Sequence, residues 1–179
     1  MSIRAFRSQR FPITHRSPEE VWRAATPFGT ATLVYSADPW RATASGDGLP
    51  TAELIADETH HRGAAWVAPE GAFRFPMQLV VGGIAGEVTQ PHARRFDLQL
   101  TRRSRTVRAR IGGVDGTEWT MRGVGLSSVQ VSRNGAPVVT SGASFTSHRL
   151  EGGCTPQDLA VAIALSPLRA TLFVLTSLA

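Results

Sequence analysis

A chain of 179 residues, 42% of them hydrophobic, can bury a core of its own and is too apolar for general disorder. The net charge of +5 comes from nineteen basic residues that are all arginine, and the lack of lysine excludes both a P-loop and a pyridoxal Schiff base. Cys154 is the sole cysteine, so an internal disulfide and a thiolate metal cluster are excluded as well.

Residues 1–7 carry no apolar run of the kind a secretory signal needs, which predicts a cytoplasmic location. Residues 3–13 read as a strand in which Ile3, Ala5 and Ile13 alternate with polar neighbours. Ser17-Pro18-Glu19-Glu20 has the form of a helix start, with serine as cap, proline in the first turn and Glu20 closing a capping box. It predicts one short helix over 18–25 that ends at Pro27 and Gly29. A strand follows at 30–36 with Ala31, Leu33 and Tyr35 on one face, and 37–50 reads as a loop. Further strands are expected at 51–57, 63–68, 73–81 and 84–90, with Gly82-Gly83 as a tight turn or bulge.

The clearest alternation puts Phe96, Leu98 and Leu100 on one face of a strand at 94–101, and Val107, Ala109 and Ile111 on one face of its partner at 105–111. Arg102-Arg103-Ser104 would turn between them. Strands at 117–123, 126–132, 136–141 and 144–150 complete the run, with Asn134-Gly135 supplying the positive φ angles of a two-residue hairpin. Spacing of about ten residues per strand, without βα alternation, argues for a barrel or sandwich.

From Leu159 to Leu178 the only charge is Arg169, and Thr155-Pro156-Gln157-Asp158 stands before this stretch as a helix start. A helix apolar on every face must be enclosed. Twenty helical residues would span roughly 30 Å of bilayer. However, Ser166-Pro167 interrupts them, and Arg169 near the middle would cost about 2.5–3.5 kcal/mol on insertion scales. Enclosure by protein is therefore the reading. A single domain over 1–179 is expected, mainly β, an antiparallel barrel enclosing a hydrophobic helix at 156–165.

Seven arginines lie between Arg94 and Arg110. On the expected hairpin, Arg108 and Arg110 share the outward face, and Arg102, Arg103 and Arg105 project from the tip. Guanidinium forks match phosphate oxygens, so this set is the candidate anion-binding site. No catalytic frame stands out, since no G-x-S-x-G elbow is present and Asp57-Glu58-Thr59-His60-His61 places at most Glu58 and His60 on one strand face. No cofactor or metal site is assigned. His148 reads as a satisfied structural histidine, and Trp22, Trp40, Trp66 and Trp119 as core or rim packing.

The element order from 117 to 166 resembles the tubby-like C-terminal superfamily in its LURP-one-related and scramblase-like branch. The resemblance rests on the strand Thr117–Gly123, Val129-Gln130-Val131, the turn Asn134-Gly135 into Ala136-Pro137-Val138-Val139, the strand Ser144–Leu150, and the apolar helix Asp158–Leu165. Upstream it holds by strand count only. It implies a twelve-stranded barrel closed around its C-terminal helix and, in some members, binding of anionic phosphoinositides. The lysines of the tubby lipid site, the scramblase calcium site and the palmitoylated cysteines have no counterpart here, so no site residue is carried over. The expected function is a non-enzymatic binding or scaffold module. Its partner would be an anionic lipid at the membrane surface, another polyanion or a protein; no specific nucleic-acid motif is present. The alternative is a helix-grip, START-like binder or enzyme for hydrophobic small molecules, which "RFPITHRSPEEVWRAA" at 10–25 also resembles and which needs an open cavity near Trp22, Trp40 and Trp66.

Overall fold

The computed structural model describes residues 4–14, 16–37, 39–56, 76–90, 106–113, 116–125, 128–142 and 144–172. Twelve strands form among them. The first six are β1 (Arg4–Arg10), β2 (Glu19–Thr26), β3 (Gly29–Ser36), β4 (Arg41–Gly46), β5 (Leu49–Ile55) and β6 (Met77–Val81). The second six are β7 (Ile84–Thr89), β8 (Thr106–Ile111), β9 (Thr117–Val124), β10 (Ser128–Arg133), β11 (Ala136–Gly142) and β12 (Ser147–Leu150). Each strand pairs antiparallel with its neighbours in sequence, and β1 pairs with β12 to close the barrel. Closure leaves no edge strand to manage. The two-residue turns fall where glycine or asparagine permits them: Gly82 and Gly83 join β6 to β7 with φ of 55° and 83°, and Asn134 and Gly135 join β10 to β11 with φ of 47° and 85°.

An eight-stranded barrel is filled by its own side chains, and a wider one must enclose something else. Here the filling is α1 (Pro156–Ala164), continued by a 3-10 segment at Ser166–Leu172. Every residue from Asp158 to Leu165 is buried, and Leu168 and Leu172 extend the apolar column. The helix packs chiefly against β5 and β4, where the inward residues include Ala42, Ala44 and Ala52. Their small size leaves room for a cylinder of about 10 Å. The far wall carries the bulk, with Leu79, Val107, Trp119 and Met121 facing inward. The helix enters at the mouth where β9 begins and β10 ends, called the lower mouth here, and its 3-10 extension reaches the upper mouth, where β1 and β3 end. This architecture agrees in general terms with the barrel that the tubby-like resemblance implies.

The helix expected over 18–25 is instead β2. Its capping pattern is overruled by pairing on both sides, with β1 through Arg10↔Trp22 and with β3 from Glu19↔Tyr35 to Thr26↔Gly29. A bulge after Glu20 turns both Val21 and Trp22 into the core, which breaks the period-two signature of a strand. The loop expected over 37–50 contains β4, whose buried alanines gave no hydrophobic signal. On β1 the inward set is Phe6 and Ser8, with Ala5 exposed, the reverse of the expected face. The helix-grip alternative is corrected too, because the terminal helix lies inside a closed barrel. The strands expected at 63–68 and 94–101 lie outside the described residues.

Candidate anion-binding face and the polar sites of the barrel

Val107, Ala109 and Ile111 point into the core, so Arg108 and Arg110 share the outer face of β8 as expected. Over Arg108–Ile111, β8 has β7 on one edge and β9 on the other. Both edges are thus taken, so the hairpin expected between 94–101 and 105–111 is not formed over these residues; 94–101 and the tip residues Arg102, Arg103 and Arg105 themselves lie outside the described residues. Arg110 stands in register between Glu87 and Glu118 and pairs with Glu118 at 2.8 Å, so its charge is compensated. Arg108 stands between Thr89 and Thr120; its diagonal neighbours are Glu87 on β7 and both Glu118, already paired with Arg110, and Arg122 on β9, and the Arg122 guanidinium donates to the neutral Gln130. Diagonal neighbours are roughly 7–8 Å apart. Among the described residues, the excess positive charge of this face therefore gathers at the Arg108–Arg122 end, by the upper mouth.

The start of α1 holds a polar group that composition did not reveal. Asp158, 0% exposed, accepts from Trp119 Nε1 on Oδ1 at 2.8 Å, and on Oδ2 from Arg133 Nη1 at 2.8 Å and from Thr155 N and Oγ1 at 2.8 and 2.9 Å. The Asp158 amide donates back to Thr155 Oγ1, completing a capping box. The carboxylate thus joins the helix N-terminus to β9 and β10. A buried carboxylate needs several donors to be tolerated, and this one has them. The same carboxylate stands near Cys154, whose thiol is pushed up to about 12, mainly by burial and then by Asp158. The thiol is not a ready nucleophile.

His148 is 4% exposed, with its ring stacked 4.7 Å from Phe6 and edge-on to Trp22 and Phe145. Ser8 Oγ donates to the Phe145 carbonyl and lies 2.9 Å from Nε2, while Ser141 Oγ lies 2.9 Å from Nδ1. Having spent its proton on Phe145, Ser8 accepts from Nε2–H, and Nδ1 accepts from Ser141. The neutral ring is therefore fully satisfied, and a second proton would reverse the Ser141 bond and place a charge among Phe6, Trp22 and Phe145. Burial pushes the His148 pKa down to about 4, with the Phe145 carbonyl opposing. The unfolded chain takes up this proton near 6.5 and the native protein only near 4. Stability is then fully present above about pH 6.5 and is lost as pH falls toward 4, by roughly 3 kcal/mol. Urea midpoints at pH 7 and pH 4.5 should show the loss, and His148→Gln should remove that part of the slope. An unchanged slope in the variant would contradict the assignment.

Trp22, Trp40 and Trp119 are buried in the core, while Trp66, Glu58 and His60 lie outside the described residues. The cavity that Trp22 lines offers about 20 Å³ to the centre of a water-sized group, far below the ~300–1,000 Å³ of a typical small-molecule pocket. Among the described residues, no three His, Cys, Asp or Glu side chains are grouped to hold a metal, and no helix is long and apolar enough to cross a membrane. The chain matches no protein-family model, no curated protein and no solved structure. A barrel filled by its own helix is compatible with a non-catalytic binding or scaffold module.

Proposed function

We propose that the protein is a non-enzymatic binding or scaffold module of tubby-like kind, which recognises anionic phosphate groups, in the first place lipid headgroups, through arginines at the upper end of β8. The observation that carries this reading is the unequal pairing of the outer face. Arg110 is neutralised by Glu118, whereas Arg108 and Arg122 face no carboxylate in register. Arg102, Arg103 and Arg105 precede Arg108 in the chain and would add to the same patch. The filled interior supports the reading, because it leaves the outer wall and the mouths as the surfaces for partners.

Attraction to an anionic surface is about 1 kcal/mol per basic residue and fades within a Debye length of roughly 10 Å at 0.1 M salt. Sedimentation with phosphatidylserine- and phosphoinositide-containing vesicles should therefore fall steeply between low and moderate salt. The combined change Arg103→Gln, Arg105→Gln and Arg108→Gln should weaken binding about a hundredfold. The melting temperature should stay nearly constant, and Arg110→Gln should have the smaller effect of a paired charge. Equal binding by the triple variant would assign these arginines to a merely solvated surface.

A further inference from the structure

At the upper mouth a cavity lies between the 3-10 segment and the adjoining ends of β1, β2 and β3. Arg10, Tyr35, Ser166 and Arg169 line it with polar groups, and Leu33 and Phe145 are part of its apolar wall. Arg10 follows Phe6 and Ser8 on the side of β1 that turns toward His148, so its stem enters the mouth. Its guanidinium donates to the Ser144 carbonyl at 3.3 Å, and that of Arg169 to the Ser166 carbonyl at 3.4 Å. The Ser166 hydroxyl, in a residue only 2% exposed, has no hydrogen-bond partner among the described residues. A buried hydroxyl left so is destabilising unless something occupies the space beside it.

Phe145 adds shape to this end of the barrel. Its backbone is left-handed, with φ of 56°, and its carbonyl points inward to accept from Ser8 Oγ and Trp22 Nε1. Burial pushes the Tyr35 hydroxyl up to about 12, while the charges of Arg169 and Arg10 pull it the other way. Tyr35 thus remains a donor within reach of both guanidinium fields. Glu19, the register partner of Tyr35, does not line the cavity, and its carboxylate accepts from Thr14 N and Oγ1.

The geometry points to a binding site for the carboxylate group of a small monocarboxylate. Two guanidinium groups select a negative charge, and the hydroxyls of Tyr35 and Ser166 can donate to it. Size selects among anions. One water-sized group needs roughly 10–15 Å³, so 20 Å³ takes one carboxylate oxygen with the second at the mouth, and is too small to enclose the four oxygens of a phosphate. The hydrocarbon part of the ligand leaves through the mouth, along the apolar wall. The site is separate from the arginine face, since β2 and β8 stand on opposite sides of the twelve-stranded ring.

Butyrate titrated into the full chain at constant ionic strength should give saturating NMR shifts at the Trp22 indole N–H and the Ser166 amide. Phosphate and chloride should give none that saturate. Arg10→Gln, at an exposed position, should weaken butyrate binding roughly tenfold or more. Ser166→Ala should weaken it several-fold while holding or raising the melting temperature, because it removes an unpartnered hydroxyl from the free protein. Arg108→Gln should leave butyrate affinity unchanged, so failure of this site and failure of the outer face are read separately. The absence of saturation by butyrate, or saturation undiminished in both Arg10→Gln and Ser166→Ala, would overturn the site. Saturation by phosphate and not by butyrate would overturn the carboxylate assignment.

Discussion

Ile163→Asp is expected to leave no cooperatively folded protein at room temperature. Ile163 is 1% exposed on α1, inside the closed barrel. Truncating such a side chain costs about 2–5 kcal/mol, and an unpaired buried carboxylate adds several more. Together these approach the whole stability of a domain, about 5–15 kcal/mol. Ile163→Val, which keeps most of the packing, should cost only about 0.5–1.5 kcal/mol. Circular dichroism melts of the two variants check the pair of outcomes. An aspartate variant that melts like the parent would mean that the helix is not enclosed.

Asp158→Ala is expected to have the second largest effect, a loss of about 3–5 kcal/mol. It strands the Trp119 indole N–H in the core, leaves the Arg133 guanidinium without its carboxylate and removes one half of the capping box. For a chain of this length the melting temperature should drop by roughly 6–20 °C. Asp158→Asn should lose less, since its amide oxygen can still accept from Trp119 or Thr155. A drop in Asp158→Ala no larger than that of an exposed substitution such as Arg108→Gln would show that the carboxylate does not hold the helix start to β9 and β10.

The enclosed helix was legible because two signals coincide at its start. Thr155-Pro156-Gln157-Asp158 has the chemistry of an N-terminus, and the residues after it are apolar on every face. The strands from Thr117 to Leu150 were legible for a similar reason: Trp119, Met121, Val129 and Val131 alternate strictly, and Asn134-Gly135 permits only a tight turn. The strand β2 was not legible, since Ser-Pro-Glu-Glu has the local chemistry of a helix start and the bulge after Glu20 hides the alternation. Only the neighbouring strands decide it. The strand β4 was hidden by its small residues, which are small because a helix lies against them. That cause is three-dimensional and leaves no periodic trace.

Of the candidate site, the shared outward face of Arg108 and Arg110 followed from the period of two. The neutralisation of Arg110 did not, because Glu118 sits on a strand whose register nothing local specifies. Asp158 belongs to a legible helix start, but its partners Trp119 and Arg133 lie on strands that nothing local brings near it. Nothing in the spacing of nineteen arginines singles out the one that reaches across 25 positions to that carboxylate. The cavity at the upper mouth is formed by residues from Arg10 to Arg169, and no motif joins them.

The central claim is that α1 fills the barrel, so that partners meet the protein on its wall and at its mouths. Native-state hydrogen exchange of the amides from Ala162 to Leu165 tests it most directly. If the helix is enclosed, these amides exchange only through global unfolding, with a free energy and denaturant dependence equal to those of the whole protein. Exchange through a smaller local opening, with little denaturant dependence, would mean that the helix leaves the barrel while the strands stay folded, and would contradict the account.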